Sequence, residues 1–396
     1  MINRYTLIAS TILLLTSCQK DEINNYSFDS ALEQEYSLES SETNEQTSTT
    51  LNYGLYWIDK NQNNKKAYNT NTNKKISVNS SYYNDGKPTV IYFHGWQPNV
   101  YKEGYQERSF NMKDDSGKNV NTIATWKSKG WNVAVFYWDQ FADESELKNA
   151  EAKIWSTKGG KKMRYRKSDG QYSTIGSPTK SISDLAVQQI QELLKNNSSN
   201  NLRIIGHSLG SQLATAVSYK LNKSISEGKL SNNLKVSRLE LLDPFWSKGS
   251  KSFIGNKWTG ELTRNYIKEM INRDKLAATW YRSSVIMDVG IGDSNKNLES
   301  LVALQNQRMW FLNGLNIVAK HVDVVNHYFW SYSFSEPKEV TLNFWKQRKT
   351  TGKKTASAKT STSRIREMMG SKYQWDQVEG RYTRTPNDDQ FERKNG

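Results

Sequence analysis

The chain has 396 residues, a hydrophobic fraction of 36 % and a formal net charge of +15 at pH 7. This length suits one large domain with flanking segments, and 13 Trp and 21 Tyr residues are enough aromatic material for a sizeable core. Because Cys18 is the single cysteine, an intrachain disulfide is excluded, and with it a fold that depends on such cross-links. The basic balance is compatible with contact to anionic membranes or acidic polymers, and no nucleic-acid partner is expected.

Residues 1–17 have the pattern of a signal peptide, in which Arg4 precedes an apolar run from Leu7 to Leu15. That run is too short to cross a bilayer as a permanent helix. The four residues that end at Cys18, Leu-Thr-Ser-Cys, resemble the lipobox of bacterial lipoproteins. This resemblance implies that the cysteine is acylated and becomes the new N-terminus, which anchors the chain in a bacterial cell envelope. The alternative is an ordinary secretory signal with an incidental cysteine.

Residues 18–50 are rich in Ser, Thr, Asn and Glu, and eight acidic residues stand against the single Lys20. Such a polar segment predicts a disordered acidic tether between membrane and domain. The residues directly after Cys18, Gln-Lys-Asp-Glu, resemble the acidic signal that sends some Gram-negative lipoproteins to the outside of the outer membrane. A plain solvated linker explains them equally well. The outer membrane is therefore the expected location, and the membrane face stays open.

Strand-like and helix-like segments alternate between residues 51 and 345. The apolar runs 53–58, 89–93, 131–137, 202–205 and 236–242 are typical of strands, and several are apolar almost throughout, as strands covered on both faces are. Residues 181–194, which open with Ser-x-x-Asp, and residues 211–221 have helical apolar spacing. This alternation predicts an α/β domain with a mainly parallel central sheet and helices on both faces.

Three segments depart from this alternation. Residues 157–177 are rich in Gly, Lys and Arg and are expected to form an inserted loop, whereas residues 247–315 contain helical stretches that could hold a lid. Between 346 and 372 there are nine Lys or Arg residues and one Glu. We therefore expect 346–396 to be a basic C-terminal extension, disordered in part at 350–363, which is either solvated or in contact with anionic lipid or polymer.

The pattern Gly206-His207-Ser208-Leu209-Gly210 lies between a predicted strand and a predicted helix. In that context G-x-S-x-G is typical of a sharp turn that exposes a serine hydroxyl at the carboxyl end of a sheet. The two glycines allow strand and helix to approach closely, since neither carries a Cβ atom. The pattern predicts Ser208 as a nucleophile, with the N–H group of Leu209 directed at a substrate oxyanion.

A serine nucleophile needs a general base, and the chain has four histidines. His207 lies inside the turn, and His94 lies too early for the chain order Ser, Asp, His. His321 and His327 remain. We favour His327, because it follows the apolar run 322–325 and precedes an aromatic-rich segment, whereas His321 precedes that run and is the alternative, with a structural role.

The acid that orients the base is expected just after a strand between the nucleophile and the late histidine. Asp243 fits, since it directly follows the apolar run Leu241-Leu242 and precedes Pro244. The competing acids are Asp288 and, less well, Asp293. The second oxyanion donor is expected in the loop after residues 89–93, where His94-Gly95-Trp96 offers a tight turn and the N–H group of Trp96. A simple strand-end turn with a buried Trp is the alternative.

Five motifs, taken in chain order, resemble the pancreatic-lipase family of α/β-hydrolases over residues 88–335. They are Phe93-His94-Gly95-Trp96, Phe136-Tyr137-Trp138-Asp139, Ile205-Gly206-His207-Ser208-Leu209-Gly210, Leu242-Asp243-Pro244 and Val325-Asn326-His327. The resemblance implies an α/β-hydrolase fold, Asp243 as the acid, Trp96 as the second oxyanion residue and His327 as the base. The chain departs from the animal members, which use disulfides around a lid, and its spacing from Ser208 to Asp243 is longer than that family leads us to expect.

These residues together predict acyl transfer through Ser208, Asp243 and His327, a chemistry that needs no metal or organic cofactor. The resemblance implies that the substrates are carboxylic esters of lipids, as for triacylglycerol lipases and phospholipases A1. Two alternatives remain. One is an esterase acting on carbohydrate or other non-lipid esters. The other is a surface-anchored binding protein built on an inactive hydrolase scaffold.

Overall fold

The computed structural model describes residues 50–106, 109–288, 290–314, 316–345 and 347–396. The predicted signal peptide, Cys18 and the tether up to residue 49 lie outside the described residues, so the expectations for them stay predictions. Within the described residues, no helix is long and apolar enough to cross a membrane.

Twelve strands of the described chain form one sheet in the order β16-β15-β18-β17-β14-β13-β12-β11-β5-β8-β1-β2. From β8 through β5, β11, β12, β13 and β14 to β17 all neighbours are parallel, while β1 and β2 extend one edge in antiparallel fashion. The strands are β1 (Gly54–Ile58), β2 (Asn64–Lys66), β3 (Tyr68–Asn69), β4 (Lys74–Lys75), β5 (Thr89–Phe93), β6 (Asn111–Lys113), β7 (Asn119–Asn121), β8 (Asn132–Tyr137), β9 (Tyr165–Arg166), β10 (Tyr172–Ser173), β11 (Leu202–His207), β12 (Val236–Leu242), β13 (Ala277–Arg282), β14 (Ala303–Asn306), β15 (Lys338–Leu342), β16 (Arg348–Lys354), β17 (Tyr373–Glu379) and β18 (Gln390–Asn395).

Helices pack on both faces of this sheet, as the continuous apolar strands predicted. In β5, Ile91 and Phe93 belong to one buried cluster, and Val90 and Tyr92 belong to the cluster on the opposite face. The helices are α1 (Ala124–Ser128), α2 (Asp139–Ala142), α3 (Leu147–Trp155), α4 (Ile182–Leu194), α5 (Gly210–Ser226), α6 (Thr259–Asp274), α7 (Lys296–Glu299), α8 (Ile317–Ser331) and α9 (Thr362–Met368). The predicted α/β architecture with a mainly parallel central sheet is confirmed.

Two sequence signals for helices are met locally. The Ser181 side chain accepts a hydrogen bond from the N–H group of Asp184 at the start of α4, which is the cap that Ser-x-x-Asp predicted. The helix predicted at 211–221 is α5, which is longer at its C-terminal end. The predicted insertion at 157–177 contains a short hairpin of β9 and β10.

The C-terminal region differs from the expectation of a partly disordered extension. Residues 347–396 contain the helix α9 and the strands β16, β17 and β18, and these three strands belong to the same sheet as the strands around Ser208. The loop before α9 is buried, since the guanidinium group of Arg238 donates to the carbonyl groups of Thr360 and Ser357, and that of Arg203 donates to Ala358. Disorder at 350–363 was therefore a wrong prediction: the polar residues form a solvent-facing edge strand, and in the buried loop the Ser357 and Thr360 side chains hydrogen-bond to the loop's own backbone.

Candidate active site

Ser208 lies in a sharp turn between β11 and α5, with a backbone φ of 52°. Its N–H group donates to the carbonyl oxygen of Leu242 at 3.1 Å, which fixes the turn against the neighbouring strand β12. A Cβ atom on Gly210 would lie 2.3 Å from the carbonyl oxygens of Phe93 and His94, and one on Gly206 would lie 2.5 Å from that of Gly210. The strand–turn–helix context and the need for both glycines agree with the sequence prediction.

Asp243 directly follows β12, which pairs in parallel with β11, so the acid and Ser208 lie at the same edge of the sheet. The carboxylate is buried and fully engaged: Oδ1 accepts from the N–H groups of Ser283 (2.9 Å) and Ser284 (3.2 Å), and Oδ2 accepts from the Ser284 hydroxyl. Burial by itself raises the pKa of Asp243, but hydrogen bonding and the charge of His321, with these serine donors, outweigh it and hold the pKa below its ordinary value. Asp243 is thus kept as a carboxylate.

His321, in the second turn of α8, is the histidine that contacts this carboxylate. Its Nδ1 atom lies 2.8 Å from Oδ2 of Asp243, and both side chains are buried. A carboxylate can only accept a hydrogen bond, so Nδ1 carries the proton and Nε2 of a neutral ring is the nitrogen that can take one up. The predicted pairing of the acid with His327 is therefore wrong, and His321, the alternative histidine, is the one that contacts the acid.

His327 lies on the same helix but in a different environment. The Gln307 side-chain amide donates to its Nδ1 atom at 3.1 Å, and its Nε2 atom lies 3.5 Å from Oδ2 of Asp389. Burial lowers the pKa of His327 to about 4, and burial raises the pKa of Asp389 to about 8. The two side chains therefore form a buried, uncharged contact between α8 and the C-terminal strands near neutral pH.

Helix geometry explains why only one of these histidines reaches Asp243. Six residues along an α-helix correspond to a rotation of about 240° and a rise of about 9 Å. His321 and His327 thus point in different directions from different levels of α8, and the helix presents its N-terminal end to the site. The sequence favoured His327 because it follows the apolar run 322–325. That reason does not hold, since the run is part of α8 and not a strand that precedes the helix.

The nucleophile turn and the base are held together through His207. The Nε2 atom of His207 donates to the backbone carbonyl of His321 at 2.8 Å, and the two rings lie 4.4 Å apart between centroids. Since His207 directly precedes Ser208, this contact fixes the start of α8 against the turn. The histidine that sequence reasoning set aside thus has a clear structural role.

The loop after β5 borders the serine, as predicted for the second oxyanion donor. A Cβ atom on Gly95 would lie 3.2 Å from the Ser208 hydroxyl oxygen, so the peptide before Trp96 passes close to the nucleophile. The loop is fixed by His94, whose Nδ1 atom donates to the Gly95 carbonyl at 2.9 Å and whose Nε2 atom accepts from the N–H group of Trp138 at 3.0 Å. The indole of Trp96 donates to the Glu144 carbonyl at 2.7 Å. Trp96 and Leu209 remain the predicted oxyanion donors.

The competing acids lie elsewhere. Asp288 is solvent-exposed in a short 3₁₀ helix, and Asp293 accepts from the N–H group of Asn295 at 2.9 Å in a local turn. Sequence reasoning missed Ser283 and Ser284, because a Ser-Ser pair after a strand has no distinctive pattern. Within the described residues, no group of three or more His, Cys, Asp or Glu side chains is arranged to hold a metal ion.

Comparisons with known proteins add structural similarities at low identity. No protein-family model matches the chain, and no curated protein matches it. The chain is similar to a solved structure of esterase B from Lactobacillus rhamnosis, with 11 % identity and a TM-score of 0.25 over 65 % of this chain and 72 % of that one. It is also similar to a hormone-sensitive lipase from a metagenome library, with 14 % identity and a TM-score of 0.26 over 71 % and 78 % of the two chains. An esterase from Pyrococcus furiosus has 15 % identity and a TM-score of 0.26 over 54 % and 66 %.

Identities and TM-scores this low leave family and substrate open. The fold is evident from the chain itself. A mainly parallel sheet carries helices on both faces, and the serine lies on a strained strand-to-helix turn. The serine, an acid that follows a neighbouring strand and a late histidine that contacts this acid occur in the chain order Ser, Asp, His. The chain has the α/β-hydrolase fold.

Proposed function

We propose that this protein is a serine hydrolase of carboxylic esters, with Ser208 as the nucleophile, His321 as the general base and Asp243 as the residue that orients the base. The hydrogen bond of 2.8 Å between His321 Nδ1 and Asp243 Oδ2 carries this proposal. This contact supports the proposal because it fixes the tautomer of the ring and lies at the end of the sheet where β11 leads into Ser208.

In the proposed reaction, His321 Nε2 takes the proton of the Ser208 hydroxyl while Oγ attacks the ester carbonyl. The N–H groups of Trp96 and Leu209 stabilise the negative oxygen of the tetrahedral intermediate. His321 then gives its proton to the leaving alcohol, which yields an acyl-enzyme. A water molecule, deprotonated by the same histidine, attacks the acyl carbonyl and releases the carboxylic acid and free Ser208.

The finer proposal concerns the substrate, which we infer to be the ester bonds of lipids, as in triacylglycerol lipases or phospholipases A1. It is supported by the resemblance of the motifs at 93–96, 205–210 and 242–244 to the pancreatic-lipase family. We further propose that acylated Cys18 anchors the protein in a bacterial cell envelope at the outer membrane.

Covalent labelling tests the hydrolase proposal. A fluorophosphonate probe is expected to label the purified chain, and Ser208→Ala should abolish labelling. Ser252→Ala, which changes an exposed serine away from the site, is the matched control and should label fully. Absence of labelling in the parent chain, or labelling that survives Ser208→Ala, would contradict the proposal and favour an inactive scaffold.

A panel of esters tests the lipid proposal separately. We expect the rate of hydrolysis to rise with acyl-chain length among p-nitrophenyl esters, and emulsified triacylglycerol or phospholipid vesicles to be hydrolysed. If short, soluble esters or acetylated carbohydrates are the better substrates while Ser208 still labels, the lipid proposal fails and the hydrolase proposal stands.

A further inference from the structure

The turn between β15 and β16 exposes large apolar side chains that nothing in the described structure covers. Phe344 is 90 % exposed, Trp345 is 76 % exposed and Leu342, at the end of β15, is 50 % exposed. We name these three residues the aromatic tip. The described residues at the two ends of this turn are in contact, since the N–H group of Asn343 donates to the Gln347 carbonyl at 2.9 Å and Leu342 pairs with Arg348.

Exposure of this extent carries a free-energy cost, because burial of a Trp or Phe side chain is among the largest single gains available to a protein. The two rings contact one another edge to face, 5.3 Å apart between centroids, so they form one continuous apolar surface at the end of a hairpin. An exposed turn of this kind can enter the deformable apolar part of a lipid layer more readily than it can pack against a flat protein surface. Trp and Phe are also the side chains that settle at the boundary between lipid headgroups and acyl chains.

The strand behind the aromatic tip is basic. β16 has the sequence Arg-Lys-Thr-Thr-Gly-Lys-Lys and forms the outer edge of the sheet. Lys349 and Lys353 are exposed on it. Arg348 is also exposed, but its guanidinium group lies 3.3 Å from the carboxylate of Glu392, which offsets its charge. Lysines on an edge strand also discourage pairing with another strand, yet that role does not call for exposed aromatic rings beside them.

We propose that the aromatic tip inserts into the interface of a lipid bilayer and that the lysines of β16 contact anionic headgroups. The charge pattern favours lipid over a second copy of the chain. β16 contains no acidic residue, so two β16 edges brought together would oppose cation to cation. An anionic bilayer surface instead attracts the lysines while its interior accepts the rings. This inference goes beyond the proposed hydrolase reaction and does not depend on it.

Vesicle co-sedimentation tests the proposal, using the full chain with Cys18→Ser so that acylation cannot anchor it, and with Ser208→Ala so that lipid is not consumed. Vesicles contain phosphatidylcholine either alone or with roughly 30 % phosphatidylglycerol, an anionic lipid. The double variant Phe344→Ser and Trp345→Ser is expected to bind both kinds of vesicle about tenfold less well, in line with the apolar area removed. The pair Lys349→Ser and Lys353→Ser should lose only the preference for the anionic vesicles.

Tyr382→Ser is the matched control, since Tyr382 is also 90 % exposed but lies outside the aromatic tip. It should bind like the parent chain. Because residues 1–17 are common to every variant, they cannot produce a difference between variants. Equal vesicle binding by the parent and the aromatic double variant would overturn the proposal. A dimer in light scattering that the aromatic double variant loses, without a change in vesicle binding, would instead assign the tip to a second copy. Unchanged thermal unfolding of each variant confirms that the comparison is between folded proteins.

Discussion

His321 Nδ1 lies 2.8 Å from Asp243 Oδ2, although 78 residues separate the two along the chain. The contact joins the N-terminal part of α8 to the end of β12, and Ser283 fixes the same region by donating its hydroxyl hydrogen to the Lys320 carbonyl at 2.8 Å. His321 is thus positioned by the loop that follows β13 as well as by Asp243. This arrangement distinguishes the two late histidines structurally.

The first prediction concerns those histidines. His321→Ala is expected to lower kcat/KM for ester hydrolysis by about 10⁴-fold, because the proton acceptor is removed while binding and oxyanion contacts remain. His327→Gln, which keeps a polar side chain beside Gln307 and Asp389, should leave kcat/KM nearly unchanged. Initial rates on a soluble ester, with thermal unfolding as a check of folding, provide the measurement. The reverse ranking would restore His327 as the base.

The second prediction concerns the acid. Asp243→Asn is expected to lower kcat by about 10⁴-fold, because an amide can donate to His321 Nδ1 and so favours the wrong tautomer. The same replacement at exposed Asp288 should change neither kcat nor KM. Fluorophosphonate labelling rates of both variants check the assignment without a substrate. Loss of reactivity in Asp288→Asn alone would show that the acid has been misassigned.

The third prediction concerns the nucleophile turn. Gly210→Ala would bring a methyl group to 2.3 Å from the carbonyl oxygens of Phe93 and His94, so the β5 loop or α5 must move. We expect a loss of about 1–3 kcal/mol in the free energy of unfolding, together with reduced labelling of Ser208. Gly160→Ala is the control, since a Cβ atom there meets nothing within 4 Å. Urea unfolding followed by fluorescence measures both variants, and equal stability of the two would refute the close approach.

The fourth prediction concerns pH. Burial, with a smaller contribution from Asp388, raises the pKa of Asp389 to about 8, so the folded chain retains a proton that an unfolded Asp loses near pH 4. Between about pH 4 and pH 8 the folded state binds more protons than the unfolded state, so the free energy of unfolding falls as the pH rises. Burial lowers the pKa of His327 to about 4, so above pH 6.5 the folded side chain is uncharged while the unfolded one loses its remaining proton. This contribution has the opposite sign and is the same in the parent chain and in Asp389→Asn, so it cancels in their difference.

Between pH 6.5 and 8 the free energy of unfolding of the parent chain should therefore fall by on the order of 1–2 kcal/mol more than that of Asp389→Asn. Urea unfolding of both proteins at several pH values in this window gives the difference, which removes the contributions of other titrating groups. A parallel pH dependence of the two curves would mean that Asp389 is ionised in the folded protein.

Much of the fold follows from local pattern. The runs at 89–93 and 131–137 are apolar on both sides of the strand, which requires a sheet covered on two faces, and the structure has it. Residues 346–396 were misread because composition alone does not reveal a strand edge. β16 is polar since it borders solvent, and the loop at 355–360 is polar since the Ser357 and Thr360 hydroxyl groups hydrogen-bond to its backbone. The backbone carbonyl groups of this loop in turn accept from the buried guanidinium groups of Arg203 and Arg238.

By itself, the sequence determined the α/β architecture, the strained turn at Ser208 and Asp243 as a strand-end acid. These features depend on residues close together in the chain, such as the two glycines around a serine or an acid before a proline. Only the tertiary structure decided which histidine meets the acid. His321 and His327 share one helix and a similar apolar context, and their different directions matter only once α8 is packed against β12. The aromatic tip likewise became evident only in the folded chain, because exposure is a property of the packed molecule rather than of the residue type.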